Sequence, residues 1–157
     1  MNKRLLIARI VLTVLTVAAV AAIFYNSSLS AVESTEQSSP LTDMINAFLH
    51  SIHINITLTE GFIRKLAHFT EYTMLGTLLG TTVYLYRFDR KKALLTVLPL
   101  GAAVPVIDEL IQLFPEGRSC QVSDMVIDFC GVMFGALIVT LVVTLIMKRK
   151  RSKSKDR

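Results

Sequence analysis

Two short blocks of the chain carry residues able to do chemistry. The first holds Arg64, Lys65, His68, Glu71 and Tyr72; the second holds Asp108, Glu109 and Gln112, followed by Arg118, Ser119, Asp124 and Asp128. In the first block Arg64, His68, Glu71 and Tyr72 recur at i, i+4, i+7 and i+8, which is one face of a helix. In the second, Asp108 and Gln112 are one turn apart, as are Asp124 and Asp128. Guanidinium and ammonium groups in such a set suit a phosphate. Carboxylates beside a histidine are the parts of a divalent-cation site or of general acid–base catalysis. All twelve residues are therefore binding candidates. His68, Glu71, Asp108, Glu109 and Asp124 are the candidates for catalysis, with His68 as acid or base and Glu71, Asp108, Glu109 and Asp124 as ligands of a cation. A divalent cation is the sole cofactor these residue types suggest. Ser119 and Ser123 lie nearby, but no nucleophile signature accompanies them.

What must position these groups is a set of helices in a membrane. The chain has 157 residues, 52% hydrophobic and 18% charged, with mean hydropathy +0.54. Soluble domains carry about 25% charged residues. Four nearly charge-free stretches, about 5–25, 66–86, 93–114 and 125–147, each approach the length that crosses a hydrocarbon core of about 30 Å. Backbone groups in lipid must be satisfied internally, so the spans are helices. The expected fold is an all-α membrane protein of one domain, residues 1–157, with four transmembrane helices. That excludes a separate soluble catalytic domain, a disordered chain and a disulfide-stapled module; the two cysteines, Cys120 and Cys130, fall at different depths.

Basic residues set the orientation. Lys3, Arg4 and Arg9 open the first span, and Arg9 can snorkel to the headgroups. Arg87, Arg90, Lys91 and Lys92 fill the loop between the second and third spans, and a basic tail, 148–157, follows the fourth. Of the 17 Lys and Arg residues, Arg64, Lys65 and Arg118 alone lie on the other side. The positive-inside rule puts both termini in the cytoplasm. A net charge of +5 distributed this way holds anionic lipid and needs no nucleic acid. The first span also has the basic start of a signal peptide, and Ser28-Leu29-Ser30 could serve as a cleavage site.

Residues 26–60 are expected outside. Asn26 to Ser39 reads as a solvated linker, and Pro40 as the start of a short extracellular amphipathic helix with Leu41, Ile45, Phe48, Leu49 and Ile52 near one face. His50 and His53 sit at i and i+3 there and are expected to be exposed. Gly76/Gly80 and Gly131/Gly135 form two small-xxx-small pairs, on spans two and four, suited to close helix packing.

Every ionisable group of the two blocks falls at the outer end of its helix. A charge at the centre of a bilayer costs about 2.5–3.5 kcal/mol on insertion scales. Such residues must therefore face one another, a cation or water. Bracing is the competing account, but interhelical polar contacts in membranes average only about 0.6 kcal/mol.

These blocks resemble the VanZ-like family of small bacterial membrane proteins. The resemblance rests on Arg64-Lys65-Leu66-Ala67-His68-Phe69-Thr70-Glu71-Tyr72 with Leu75-Gly76, and on Asp108-Glu109-Leu110-Ile111-Gln112 with Gly117-Arg118-Ser119, Val122-Ser123-Asp124, Asp128 and Gly131. Glu116 and Asp128 depart from the usual Pro and Asn, and Cys120 from a small residue. The family is named for a protein giving low-level resistance to teicoplanin, a glycopeptide that binds lipid-linked cell-wall precursors. The resemblance thus implies an envelope protein whose outer-leaflet site engages a lipid or cell-wall-precursor headgroup and reduces antibiotic access. The alternative is a membrane-embedded, metal-dependent enzyme acting on lipid-linked phosphate. An ion carrier fits poorly, because no acidic residue continues the path toward the cytoplasm.

Overall fold

The computed structural model describes residues 3–86 and 90–155. They form five helices and, among the described residues, no strand: α1 (Lys3–Ser27), α2 (Ala31–Ser51), α3 (Glu60–Leu85), α4 (Arg90–Ile111) and α5 (Val122–Lys155). Arg87, and the end of the basic tail at Arg157, lie outside the described residues. Among the described residues two helices, α1 and the Val122–Arg149 part of α5, are long and apolar enough to cross a membrane. The polar first turns of α3 and the basic start and acidic end of α4 dilute their apolarity. Large apolar side chains such as Val14, Val17, Leu95, Leu141 and Leu145 point outward, while the buried apolar core is small and centred on Tyr72, Leu75 and Val132.

The helix α3 is central, touching α1, α2, α4 and α5, and it packs most extensively on α5. Glycine makes that contact close. A Cβ on Gly76 would run into the Val132 carbonyl, and one on Gly135 into the Thr73 carbonyl. A Cβ on Gly131 would stand 2.7 Å from the Phe69 carbonyl oxygen. Both glycine pairs of the sequence thus serve one interface, and α3 and α5 run parallel across it. The rings of Phe69 and Phe134 flank it, their centroids 5.9 Å apart. Gly101 brings α4 against Val132, within 2.9 Å of its Cγ1 for a hypothetical Cβ.

The helix α1 runs antiparallel to α3. At one end the Arg9 guanidinium donates to the Leu85 carbonyl at 2.9 and 3.1 Å and lies 4.9 Å from the Tyr86 ring centroid. Arg9 therefore caps the C-terminal end of α3, where a cation meets the negative end of the helix dipole. At the other end Asn26 reaches Glu71.

The segment after α1 is a correction to the sequence reading. No linker extends to Ser39: α2 begins at Ala31 and runs through Pro40. Ser30 and Glu33 form a capping box, which starts the helix nine residues before the proline can interrupt it. The hydrogen bonds from Ser30 hold the Glu33 carboxyl below its ordinary pKa. Leu41, Phe48 and Ile52 face outward as an apolar strip. The opposite side ties α2 to the start of α3: Ser38 Oγ donates to Glu60 at 2.8 Å, and the Asn46 side chain pairs with both backbone groups of Leu58 at 2.8 and 3.1 Å. So α2 covers the end of the bundle where α3 begins. His50 and His53 are exposed at its far end.

The glycine contact gives a direct test. Gly76→Ala and Gly135→Ala should each cost about 1–3 kcal/mol, the usual penalty of overpacking. Gly61→Ala, which meets nothing within 4 Å, should be near neutral. Thermal midpoints of the detergent-solubilised protein, read by size-exclusion chromatography, check both.

Candidate functional site

The ends of four helices meet at one level: the C-termini of α1 and α4 and the N-termini of α3 and α5. The loop from α4 to α5 closes over them. Its turn is fixed by Gly117, which takes φ of 76°, a conformation that favours glycine. There the Ala31 N–H donates to the Glu116 carbonyl at 3.0 Å, joining loop and α2. The result is a cavity of about 70 Å³.

Three cations line it: Arg64, Lys65 and Arg118. Lys65 Nζ lies 2.6 Å from Asp124 Oδ1, a half-exposed pair linking α3 to α5. Arg118 reaches back over α1, one nitrogen 3.5 Å from the Asn26 carbonyl, while its buried Nε has no partner. Burial, then the neighbouring Arg64 guanidinium, lowers its pKa from the ordinary arginine value. The guanidinium nonetheless remains the cation of the site, as arginine does in proteins. Ser119 and Gln112 complete the wall, and Glu109 accepts the Gln121 N–H at 2.7 Å, which anchors the start of α5.

Asp108, Glu109 and Asp128 are the most deeply buried of the site's ionisable groups. Asp108 is 0% and Asp128 1% exposed. Gln112 Nε2 donates to Asp108 Oδ2 at 3.3 Å. The hydroxyls of Ser27 and Tyr72 lie beside the same carboxylate without reaching full hydrogen-bond geometry. Asp108 Oδ1 and both oxygens of Asp128 have no hydrogen-bond partner. His68 Nδ1 stands 3.8 Å from Asp128 Oδ2. Among the described residues, His68, Asp108 and Asp128 are the one group of His, Cys, Asp or Glu whose ligating atoms come close enough to share a cation, all within 4.8 Å.

The structure distributes the sequence candidates over two connected spaces. Arg64, Lys65, His68, Glu109, Gln112, Arg118, Ser119, Asp124 and Asp128 line the cavity. Asp108 and Tyr72 lie deeper, and Glu71 faces a neighbouring cleft of about 160 Å³ that also contains Arg64, His68 and Arg118. Glu71, Glu109 and Asp124 take protein partners, Asn26, Gln121 and Lys65, while Asp108 is joined by Asp128 and His68. Asn26, Ser27 and Gln121 were not singled out as site residues from the sequence. Their signal was position, polar groups at the C-terminal end of α1 and immediately before α5, and for Ser27 also the family resemblance, which extends to Ser27-Ser28. The free thiol of Cys120 is half-buried in the loop, and Cys130 is exposed on α5.

A structural test follows from the Lys65–Asp124 link. Lys65→Ala and Asp124→Ala should each lower the thermal midpoint slightly, and the double variant should show a coupling of about 0.2–1 kcal/mol, as exposed pairs do. A coupling of several kcal/mol would mark the pair as a brace on which the bundle depends.

No curated protein and no solved structure gives a match to the chain. A family match is found: the VanZ/LLP1 model aligns with residues 12–144, which include every candidate site residue. The chain therefore belongs to the VanZ/LLP1 family.

Proposed function

We propose that this protein crosses the bacterial cytoplasmic membrane four times, through α1, α3, α4 and α5, with both termini in the cytoplasm. In this reading its outer-leaflet cavity engages the anionic headgroup of a lipid or lipid-linked cell-wall precursor. Occupying such headgroups would limit glycopeptide access, which is how a VanZ-like protein could contribute to teicoplanin resistance. Support for the topology comes from the antiparallel order of these helices, their outward apolar side chains and the basic residues at the end away from the cavity. The outward strip of Leu41, Phe48 and Ile52 suits α2 to the surface of the outer leaflet.

The observation that carries the ligand reading is the meeting of Arg64, Lys65 and Arg118 in one cavity. These are the cations that the sequence places against the charge bias of the topology. Asp124 engages Lys65, whereas neither guanidinium has a carboxylate within ion-pair distance among the described residues. Two guanidiniums without a carboxylate partner, in a partly closed space, are suited to phosphate oxygens.

Native mass spectrometry of the full chain from detergent tests the reading, with a polyprenyl pyrophosphate, phosphatidylglycerol and phosphatidylcholine as probes. The pyrophosphate or phosphatidylglycerol should be retained over phosphatidylcholine. Arg118→Ala should weaken retention about tenfold or more, as loss of a charge-assisted contact does. Equal retention of all three lipids would overturn it. Topology has its own check. In intact cells a membrane-impermeant maleimide should label Cys120, whereas Ser154→Cys in a Cys120→Ser background should label only after permeabilisation.

A further inference from the structure

The buried layer under the cavity has a chemistry of its own. Two carboxylates, from α4 and α5, are buried together, and three of their four oxygens have no hydrogen-bond partner. A buried acceptor left without a partner is costly, and a buried charge more so. The nearest basic group is the imidazole of His68, 20% exposed at its side chain. Its Nδ1 is 3.8 Å from Asp128 Oδ2, beyond the 2.7–3.2 Å of an N–H···O hydrogen bond. That separation is within ion-pair distance and also within the reach of two donors on one ion, since ligand bonds of about 2.0–2.2 Å put donors up to about 4.2 Å apart; the three donor atoms all lie within 4.8 Å of one another.

We propose that His68, Asp108 and Asp128 form a divalent-cation site in the floor of the cavity. A doubly charged ion would neutralise both carboxylates and satisfy their free oxygens. One imidazole nitrogen with two carboxylates suits Zn²⁺ or Mn²⁺ better than Ca²⁺, which takes oxygen ligands. The surroundings support the ligands: Gln112 fixes the other oxygen of Asp108, while Ser27 and Tyr72 pack beside it. Outer groups of this kind hold metal ligands in orientation. Three protein donors leave a coordination position open, and His68 and Asp128 both line the cavity above. A phosphate oxygen held by Arg64 and Arg118 could complete the ion's coordination. Only this last step rests on the headgroup reading; the site itself stands on the triad.

Metal binding without lipid separates the two. Chelator-treated full-length protein in non-ionic detergent is titrated with Mn²⁺, and loss of the free-ion signal is followed by electron paramagnetic resonance. One saturable site is expected, displaced by Zn²⁺. Asp128→Asn should weaken it at least tenfold, with Asp43→Asn, exposed on α2, leaving it unchanged. Because Asp128→Asn could disturb folding, a second measurement uses a His50→Gln/His53→Gln variant, which lacks the exposed surface histidines. Bound Mn²⁺ should still show electron spin-echo coupling to a histidine nitrogen there. The proposal is overturned by absence of a saturable site, by loss of the nitrogen coupling in that double variant, or by Mn²⁺ affinity unchanged in a folded Asp128→Asn protein. Metal binding with no lipid preference would retain the cation site and remove the headgroup reading.

Discussion

Two helix backbones can touch only where no side chain stands between them. Gly76, Gly131 and Gly135 clear that space between α3 and α5, so each glycine lies against a carbonyl of the facing helix. The contact fixes axial register as well as distance, because a shift of one residue would drive a Cβ into backbone. Register then carries outward. With Gly131 against Phe69, the preceding turns bring Asp128 to His68 and Asp124 to Lys65. The polar site is thus set by an apolar, nearly featureless interface one turn deeper.

Above that interface the charges are layered by depth. Lys65 and Asp124, half exposed, meet directly, in the way surface pairs do at little energetic gain. Arg64 and Arg118 line the cavity without a carboxylate partner at ion-pair distance among the described residues. Asp108 and Asp128 lie beneath, buried and incompletely hydrogen-bonded. A bundle held together by ion pairs would match its buried cations and anions one to one. Here they are held apart across a cavity, an arrangement that costs stability unless something enters to complete it.

The opposite end of the bundle is arranged differently. Its threonines turn back onto their own helices, as Thr77 and Thr81 do on α3. Arg9 donates from Nε and Nη2 to the Leu85 carbonyl. An apolar cleft lies there between α1, α3 and α4, lined by groups such as Val17, Leu79 and Leu100. Chemistry-bearing side chains are therefore concentrated at one end, and the cavity, the loop and α2 share that end.

Much of this was legible in residue order. Spacing placed Arg64, His68 and Glu71 on one face, charge-free runs gave the long helices, and the glycine pairs foretold close packing. The start of α2 was legible too, in the Ser30–Glu33 capping box, but Pro40 is the more conspicuous signal and points to a later start. Periodicity along one helix, however, says nothing about rotation against its neighbours. The partners of four acidic groups, Glu71, Glu109, Asp124 and Asp128, depend on that rotation, and so does the choice of Asp128 rather than Glu71 or Glu109 to join Asp108 and His68. What the sequence determined alone was which groups share a depth, because helix rise is constant. What only the tertiary structure decided was which of them face each other, because that follows from where two backbones are able to touch.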